Sequence, residues 1–283
     1  MASGPDRSLA GWLRAQPDGT LLRHALLALV GVAVVLVGTD LREAVNSQAT
    51  APFPLPATSP VRMDRPEPLD QIRPYLPGAR PVAPDENGAR LMERPREESE
   101  AEPMRIRLGT HGAAFAEGTI TPGTAEAFGE FLDSERAASV TEIVLHSPGG
   151  SVPDATAMAR LIRDRKLNTR ILPDGYCASS CPLVFAGGVE RVAAATAWIG
   201  VHQAFALSSA FGSLADGMDQ AQRVSAATQA LLHEFGVDPR VWTRAMSTPK
   251  EQLYLFTPEE MAELKLATAI EGEPAQAKAG SGD

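Results

Sequence analysis

The chain has 283 residues, a formal net charge of −9 and 44% hydrophobic residues, enough to bury a core of ordinary size. That mild acidity, without any basic cluster, excludes nucleic acid as an expected partner. Only two cysteines occur, Cys177 and Cys181, which excludes a multi-bridge disulfide scaffold and a four-ligand zinc module; no metal and no cofactor is expected.

In chain order, residues 1–20 form a polar N-terminal segment with Arg7 and Arg14. Arg23 and His24 precede the apolar run Ala25 to Gly38, and with Leu21, Leu22 and Thr39 the stretch 21–39 approaches the roughly 20 residues that cross a bilayer. The positive residues come first, so the expectation is a cytoplasmic N-terminus and a single-pass inner-membrane anchor, with the remainder in the periplasm or otherwise outside the cytoplasm. A cleaved signal sequence is the competing reading, but Asp40, Arg42 and Glu43 follow the run directly and leave no small-x-small site. Residues 40–103 read as a disordered, semi-rigid linker: 12 of the 23 prolines fall between Asn46 and Pro103, and repeated X-Pro steps forbid helix and favour extended chain.

Residues 104–272 alternate strand and helix patterns, the mark of an α/β domain with a mostly parallel sheet covered by helices; residues 273–283 form a disordered polar tail. Strands are expected at Met104 to Leu108, Ala113 to Thr121, Thr141 to His146, Thr169 to Leu172, Arg191 to Ala195 and Trp198 to His202. Helices are expected at Ala125 to Leu132, Pro153 to Arg165, Leu214 to Phe235, Pro239 to Met246 and Pro258 to Leu264, the last capped by Thr257. Active sites in such folds gather at the C-terminal ends of strands. Three conspicuous segments sit there: Ser147-Pro148-Gly149-Gly150-Ser151-Val152, Tyr176-Cys177-Ala178-Ser179-Ser180-Cys181, and Gly200-Val201-His202-Gln203.

Each segment has a plain structural reading. Ser179 or Ser180 can simply cap a helix, Gly149-Gly150 can simply turn the chain, and a lone histidine is more often structural than catalytic. Together they offer a nucleophile candidate on a tight turn at a helix start, a histidine as its base, and backbone N–H groups able to face developing negative charge. His146 could line the same cleft or serve a structural role at its strand end. Trp198, Phe205 and Phe211 fit core or subunit contacts better than a cofactor, and the small apolar loop Ala204 to Ser213 could border a groove.

These three motifs, in this order and at this spacing, resemble the Clp protease proteolytic subunit, which carries Ser-Pro-Gly-Gly, Gly-Gln-Ala-Ala-Ser-Met and Ile-Met-Ile-His-Gln. Phe256-Thr257-Pro258-Glu259-Glu260 is similar to the family's Ser-Ala-Pro-Glu-Ala segment. The resemblance implies a Clp protease/crotonase-like spiral of ββα units, usually assembled into rings or trimers, and looks nearest to membrane-anchored, exported members. It implies Ser179 as nucleophile, His202 as general base, and the N–H groups of Gly150 and Ser180 as the oxyanion hole. The third member is unassigned. The family's aspartate falls on Gln252, neighbouring Glu251 is the substitute candidate, and Asp216 and Asp219 are alternatives whose plain reading is a solvated helix start.

The leading expectation is therefore a membrane-anchored, exported serine peptidase-like hydrolase acting on a peptide or protein substrate as a homo-oligomer. The alternative is a non-catalytic envelope scaffold that holds a peptide on the same fold. A crotonase-like acyl-CoA enzyme suits the fold but not the Ser–His pair or an exported location. Cys177 and Cys181 flank Ser179, either as a disulfide formed in an oxidising compartment or as two small buried residues.

Overall fold

The computed structural model describes residues 20–49, 61–76, 80–81, 90–93, 102–204 and 214–272. Its contacts divide the chain into two units, Met1–Pro56 and Ala57–Asp283. The described residues of the first form the helix α1 (Thr20–Ala49), spanning the stretch expected to be an anchor. Leu26, Leu27, Leu29, Val30, Val32 and Val34 to Val37 expose their side chains on it. Arg23 and His24 interrupt its apolar sequence, so only Ala25 to Gly38 is continuous. Among the described residues no helix is long and apolar enough to cross a membrane.

The second unit begins well before the boundary at 104 that proline content implies. Among the described residues, four short strands lie in the expected linker: β1 (Val61–Met63), β2 (Ile72–Pro74), β3 (Arg80–Pro81) and β4 (Arg90–Glu93). Strands β1, β4 and β3 make a small antiparallel sheet. The expectation of a disordered linker is thus corrected for residues 61–76. Proline rules out helix here, but the extended chain it favours is also what an edge strand needs, and Pro74 ends such a strand. Met63 and Leu76 are buried and anchor the segment. Arg73, nearly buried, folds the intervening turn by donating to the Asp64 and Arg65 carbonyls at 2.9 and 2.8 Å.

The main sheet follows the expected alternation. Its strands are β5 (Arg105–Leu108), β6 (Ala113–Glu117), β7 (Glu142–His146), β8 (Asn168–Ile171), β10 (Arg191–Ala194) and β13 (Ala269–Glu271), ordered β13-β10-β8-β7-β6-β5. All pairs are parallel except the β5–β6 hairpin. Ile143, Val144 and Leu145 of β7 are all buried, as a strand covered on both faces requires. Helices α2 (Thr124–Asp133), α3 (Val152–Asp164) and α4 (Cys181–Ala186) contribute Phe128, Met158, Ile162 and Phe185 to one large apolar core. Leu231, Leu232 and Trp242 join it from α5 (Leu214–Glu234) and α6 (Arg240–Ser247).

A second sheet carries the site: β9 (Tyr176–Ala178), β11 (Trp198–Val201) and β12 (Gln252–Leu255), with β2 at its edge in the order β2-β12-β11-β9. Two of these strands, β9 and β12, are not among the strands expected from the sequence. Strand β2 pairs antiparallel with β12, Leu253 opposite Arg73. Met63, Leu76, Tyr176, Ala178, Trp198, Leu253 and Leu255 form a separate apolar cluster. Helix α7 (Pro258–Glu263) starts at the expected cap, Thr257 Oγ1 accepting from the Glu260 N–H.

Candidate active site

Ser179 stands where β9 runs out. Its N–H donates to the Gly200 carbonyl at 2.9 Å, which carries the strand pairing up to the serine itself. The backbone then turns through φ +62°, a left-handed conformation that costs a non-glycine residue about 1–3 kcal/mol and persists only where packing imposes it. A disulfide joins Cys177, at the centre of β9, to Cys181, the first residue of α4, with their Cα atoms 5.2 Å apart and both side chains buried. The serine is therefore held from both sides. Neither serine caps α4: Ser180 occupies the cap position but its hydroxyl makes no capping bond. Ser179 Oγ instead meets His202 Nε2 at 2.7 Å.

His202 immediately follows β11, and only 4% of it is exposed. Burial pushes its imidazole below the ordinary histidine value, partly opposed by a hydrogen bond to the Lys250 backbone and by the charge of Glu251. Both contributions favour the protonated ring, and burial outweighs them. Nε2 is the ring nitrogen that faces the serine, and with the ring proton on Nδ1 it has the lone pair a general base needs.

The Gly-Gly loop lies against the serine turn. Ser147 N donates to the Tyr176 carbonyl at 2.7 Å and Ala178 N to the Ser147 carbonyl at 3.0 Å, stitching the loop to β9. Gly149 and Gly150 take φ +92° and +139°, and a Cβ on Gly150 would stand 2.1 Å from the Ile120 carbonyl oxygen. Ser151 caps α3, accepting from Asp154 N. Among the described residues, neither the Gly150 N–H nor the Ser180 N–H has a hydrogen-bond acceptor.

Of the acidic candidates, Glu251 and Asp219 do not reach the histidine. Glu251 is exposed and pairs with Lys250 Nζ at 3.7 Å, acting on His202 only through its field. Gln252 is exposed at the start of β12. Asp219 pairs with Arg223 along α5, and the side chain of Asp216 lies outside the described residues, as do Phe205, Phe211 and most of the loop after Ala204. His146 has a structural place, its Nδ1 accepting from Tyr176 N at 3.3 Å. Among the described residues no group of three His, Cys, Asp or Glu side chains is arranged to hold a metal ion.

One residue in the site is absent from the sequence reading. Tyr75, two residues after buried Arg73, packs its ring on His202 with centroids 4.2 Å apart and planes tilted by 42°. Its hydroxyl donates its one proton to the Pro148 carbonyl at 3.0 Å, beside Ser179. Burial raises its phenol above the ordinary value, partly offset by that serine contact. The available signal is the short run Ile72-Arg73-Pro74-Tyr75-Leu76, whose aromatic and aliphatic residues are out of place in a solvated spacer.

Solved structures include two similar chains. A mutant of the membrane-bound stomatin-specific protease 1510-N, with alanine in place of one serine, aligns with TM-score 0.44 and 19% identity, over 57% of this chain and 78% of that one. A mutant of ClpP1 from Listeria monocytogenes, with aspartate in place of one asparagine, aligns with TM-score 0.45 and 16% identity, over 58% of this chain and 92% of that one. A search of curated proteins finds no significant match. The family model for Clp protease matches residues 107–256, more than half of the sequence and all three motif segments, and the chain belongs to the Clp protease family.

Proposed function

We propose that this protein is a serine peptidase-like hydrolase whose nucleophile is Ser179 and whose general base is His202. The observation that carries the reading is the 2.7 Å contact between Ser179 Oγ and His202 Nε2, made by a serine at φ +62°. In the proposed reaction Ser179 Oγ attacks a peptide carbonyl carbon as its proton passes to His202 Nε2. The carbonyl oxygen, now negative, is received by the Gly150 and Ser180 N–H groups; one such donor is typically worth about 10²–10³ in rate. The imidazolium then protonates the leaving amine, and water releases the acyl group by the same steps in reverse.

Location and assembly belong to the same proposal. The exposed Leu and Val side chains of α1 favour attachment to a membrane. The Cys177–Cys181 bridge favours an oxidising compartment, which fits a domain outside the cytoplasm. A homo-oligomer is proposed from the family resemblance. A reporter fused after Pro103 should be active only when exported, and sedimentation of the full chain in detergent should give an oligomer at micromolar concentration.

The test of chemistry is labelling of the full chain by a fluorophosphonate probe. Wild type should label at one site, Ser179→Ala should not label and should melt as wild type does, and His202→Ala should lose nearly as much reactivity. No labelling of folded wild type would overturn the hydrolase reading and leave the peptide-holding scaffold in its place.

A further inference from the structure

We infer that Tyr75, delivered by the strap of residues 61–76, is a positioning residue for His202, holding the ring in the orientation that a carboxylate would otherwise fix. The inference rests on the proposed role of His202 as general base.

The strap is built to hold one geometry. Met63 and Leu76, at its two ends, are buried in the cluster that contains Trp198, Leu253 and Leu255, and Arg73 closes the turn between them. Gln71 ties it sideways: its amide donates to Glu260 at 2.5 Å, and its carbonyl accepts from the Tyr254 hydroxyl at 3.0 Å. Tyr75 is thus fixed at its backbone before its side chain is considered. Its N–H donates to the Glu251 carbonyl at 2.8 Å. That carbonyl belongs to the residue next to Lys250, so the strap is tied to the segment that runs beside His202.

The side chain then does three things. Its ring covers a face of the imidazole at 4.2 Å. Its hydroxyl reaches over to the Pro148 carbonyl, linking the histidine's cover to the Gly-Gly loop. It also leaves His202 buried while Ser179 keeps partial exposure, so the base is shielded from water and the nucleophile remains open. Among the described residues the imidazole is faced by Ser179 from the β9 turn and Tyr75 from the strap, with the Lys250 backbone and the Glu251 charge bearing on it from the segment before β12. None of these described groups is a carboxylate in contact, and the part of holding the ring falls to the Tyr75 clamp.

The experiment compares full-chain wild type, Tyr75→Phe, Tyr75→Leu and Tyr75→Ala. Two quantities are read for each: the rate of fluorophosphonate labelling from about pH 5 to 8, the range where histidine titrates, and the His202 ring titration by NMR, assigned with His202→Gln. Tyr75→Phe keeps the ring and should stay close to wild type in both. Tyr75→Ala should label at least about tenfold more slowly, since small misplacements of a reacting group cost up to about 10²-fold. Its His202 titration should move to higher pH as water reaches the imidazole. Tyr75→Leu, which fills the space without a planar face, guards against an alanine variant that does not fold and should fall between. Wild-type labelling and titration in folded Leu or Ala variants would overturn the inference, and faster labelling there would make Tyr75 a plug instead. If wild type itself does not label, the hydrolase reading fails, and an unchanged His202 titration in the Leu or Ala variant would separately remove the positioning role.

Discussion

Gly149 and Ser180 are packed so closely that a Cβ on Gly149 would lie 2.8 Å from the Ser180 nitrogen. The same Cβ would meet Ser179 Cβ at 2.6 Å and the Ala178 carbonyl oxygen at 2.5 Å, and residue 149 holds φ +92°. Backbone lies on two of these three sides, so the strain has no flexible side chain to absorb it. Gly149→Ala should destabilise the fold by about 1–3 kcal/mol and displace the Ser180 N–H from the serine. Thermal melting and probe labelling should both fall, whereas unchanged values would mean that the loop and the turn can separate freely.

Labelling should persist into mildly acidic solution. Only neutral His202 can take a proton from Ser179, and burial holds its pKa below the ordinary value. The rate should therefore rise with pH and level off below about 6.5, the usual histidine value. Stability has the same sign: the unfolded chain binds a proton on this histidine more readily, so folding loses support as pH falls through the depressed folded-state pKa. An acid limb centred above about 6.5 would contradict the burial argument.

Glu251→Gln should change labelling by less than about threefold, because an exposed charge acting without contact is strongly screened. A loss of about a hundredfold or more would mean that the carboxylate swings onto His202 when substrate binds, the scale on which misplacing a reacting group is felt.

The disulfide should matter more to reactivity than to melting. It closes a very short loop, Cys177 to Cys181, and in a chain-entropy account short loops contribute least. It does bracket a serine in a strained conformation. Cys177→Ala with Cys181→Ala should slow labelling while shifting the melting temperature little, and mass spectrometry without reductant should find no alkylated thiols in the native protein.

Most of the α/β framework is legible because its strands are short β-branched runs and its helices carry caps and periodic apolar faces, as at Glu142 to His146 and Thr257 to Leu264. The pairing of Ser179, His202 and the Gly-Gly loop comes from motif order, since topology alone brings strand ends together without naming a chemistry. What stays hidden depends on partners far away in sequence. Strands β9 and β12 have only three or four residues each and exist because β11 pairs with both. Sequence directs the search for the ring support of His202 to carboxylates, but an aromatic ring packed on the imidazole leaves no mark there. Tyr75 is hidden by its proline-rich surroundings, where composition is the same for a free spacer and for a strand laid on a sheet edge.

That strand has a bearing on how the protein can be handled. With β2 in place, the outer side of β12 has its hydrogen-bonding groups matched by Ile72 to Pro74. A chain begun at Met104, the boundary suggested by proline content, would present Gln252 to Leu255 as a bare edge and uncover Leu253 and Leu255. Bare apolar edges recruit other strands. Such a shortened protein should be prone to self-association by edge pairing, and particle size measured on it would report that defect rather than the assembly of the intact molecule.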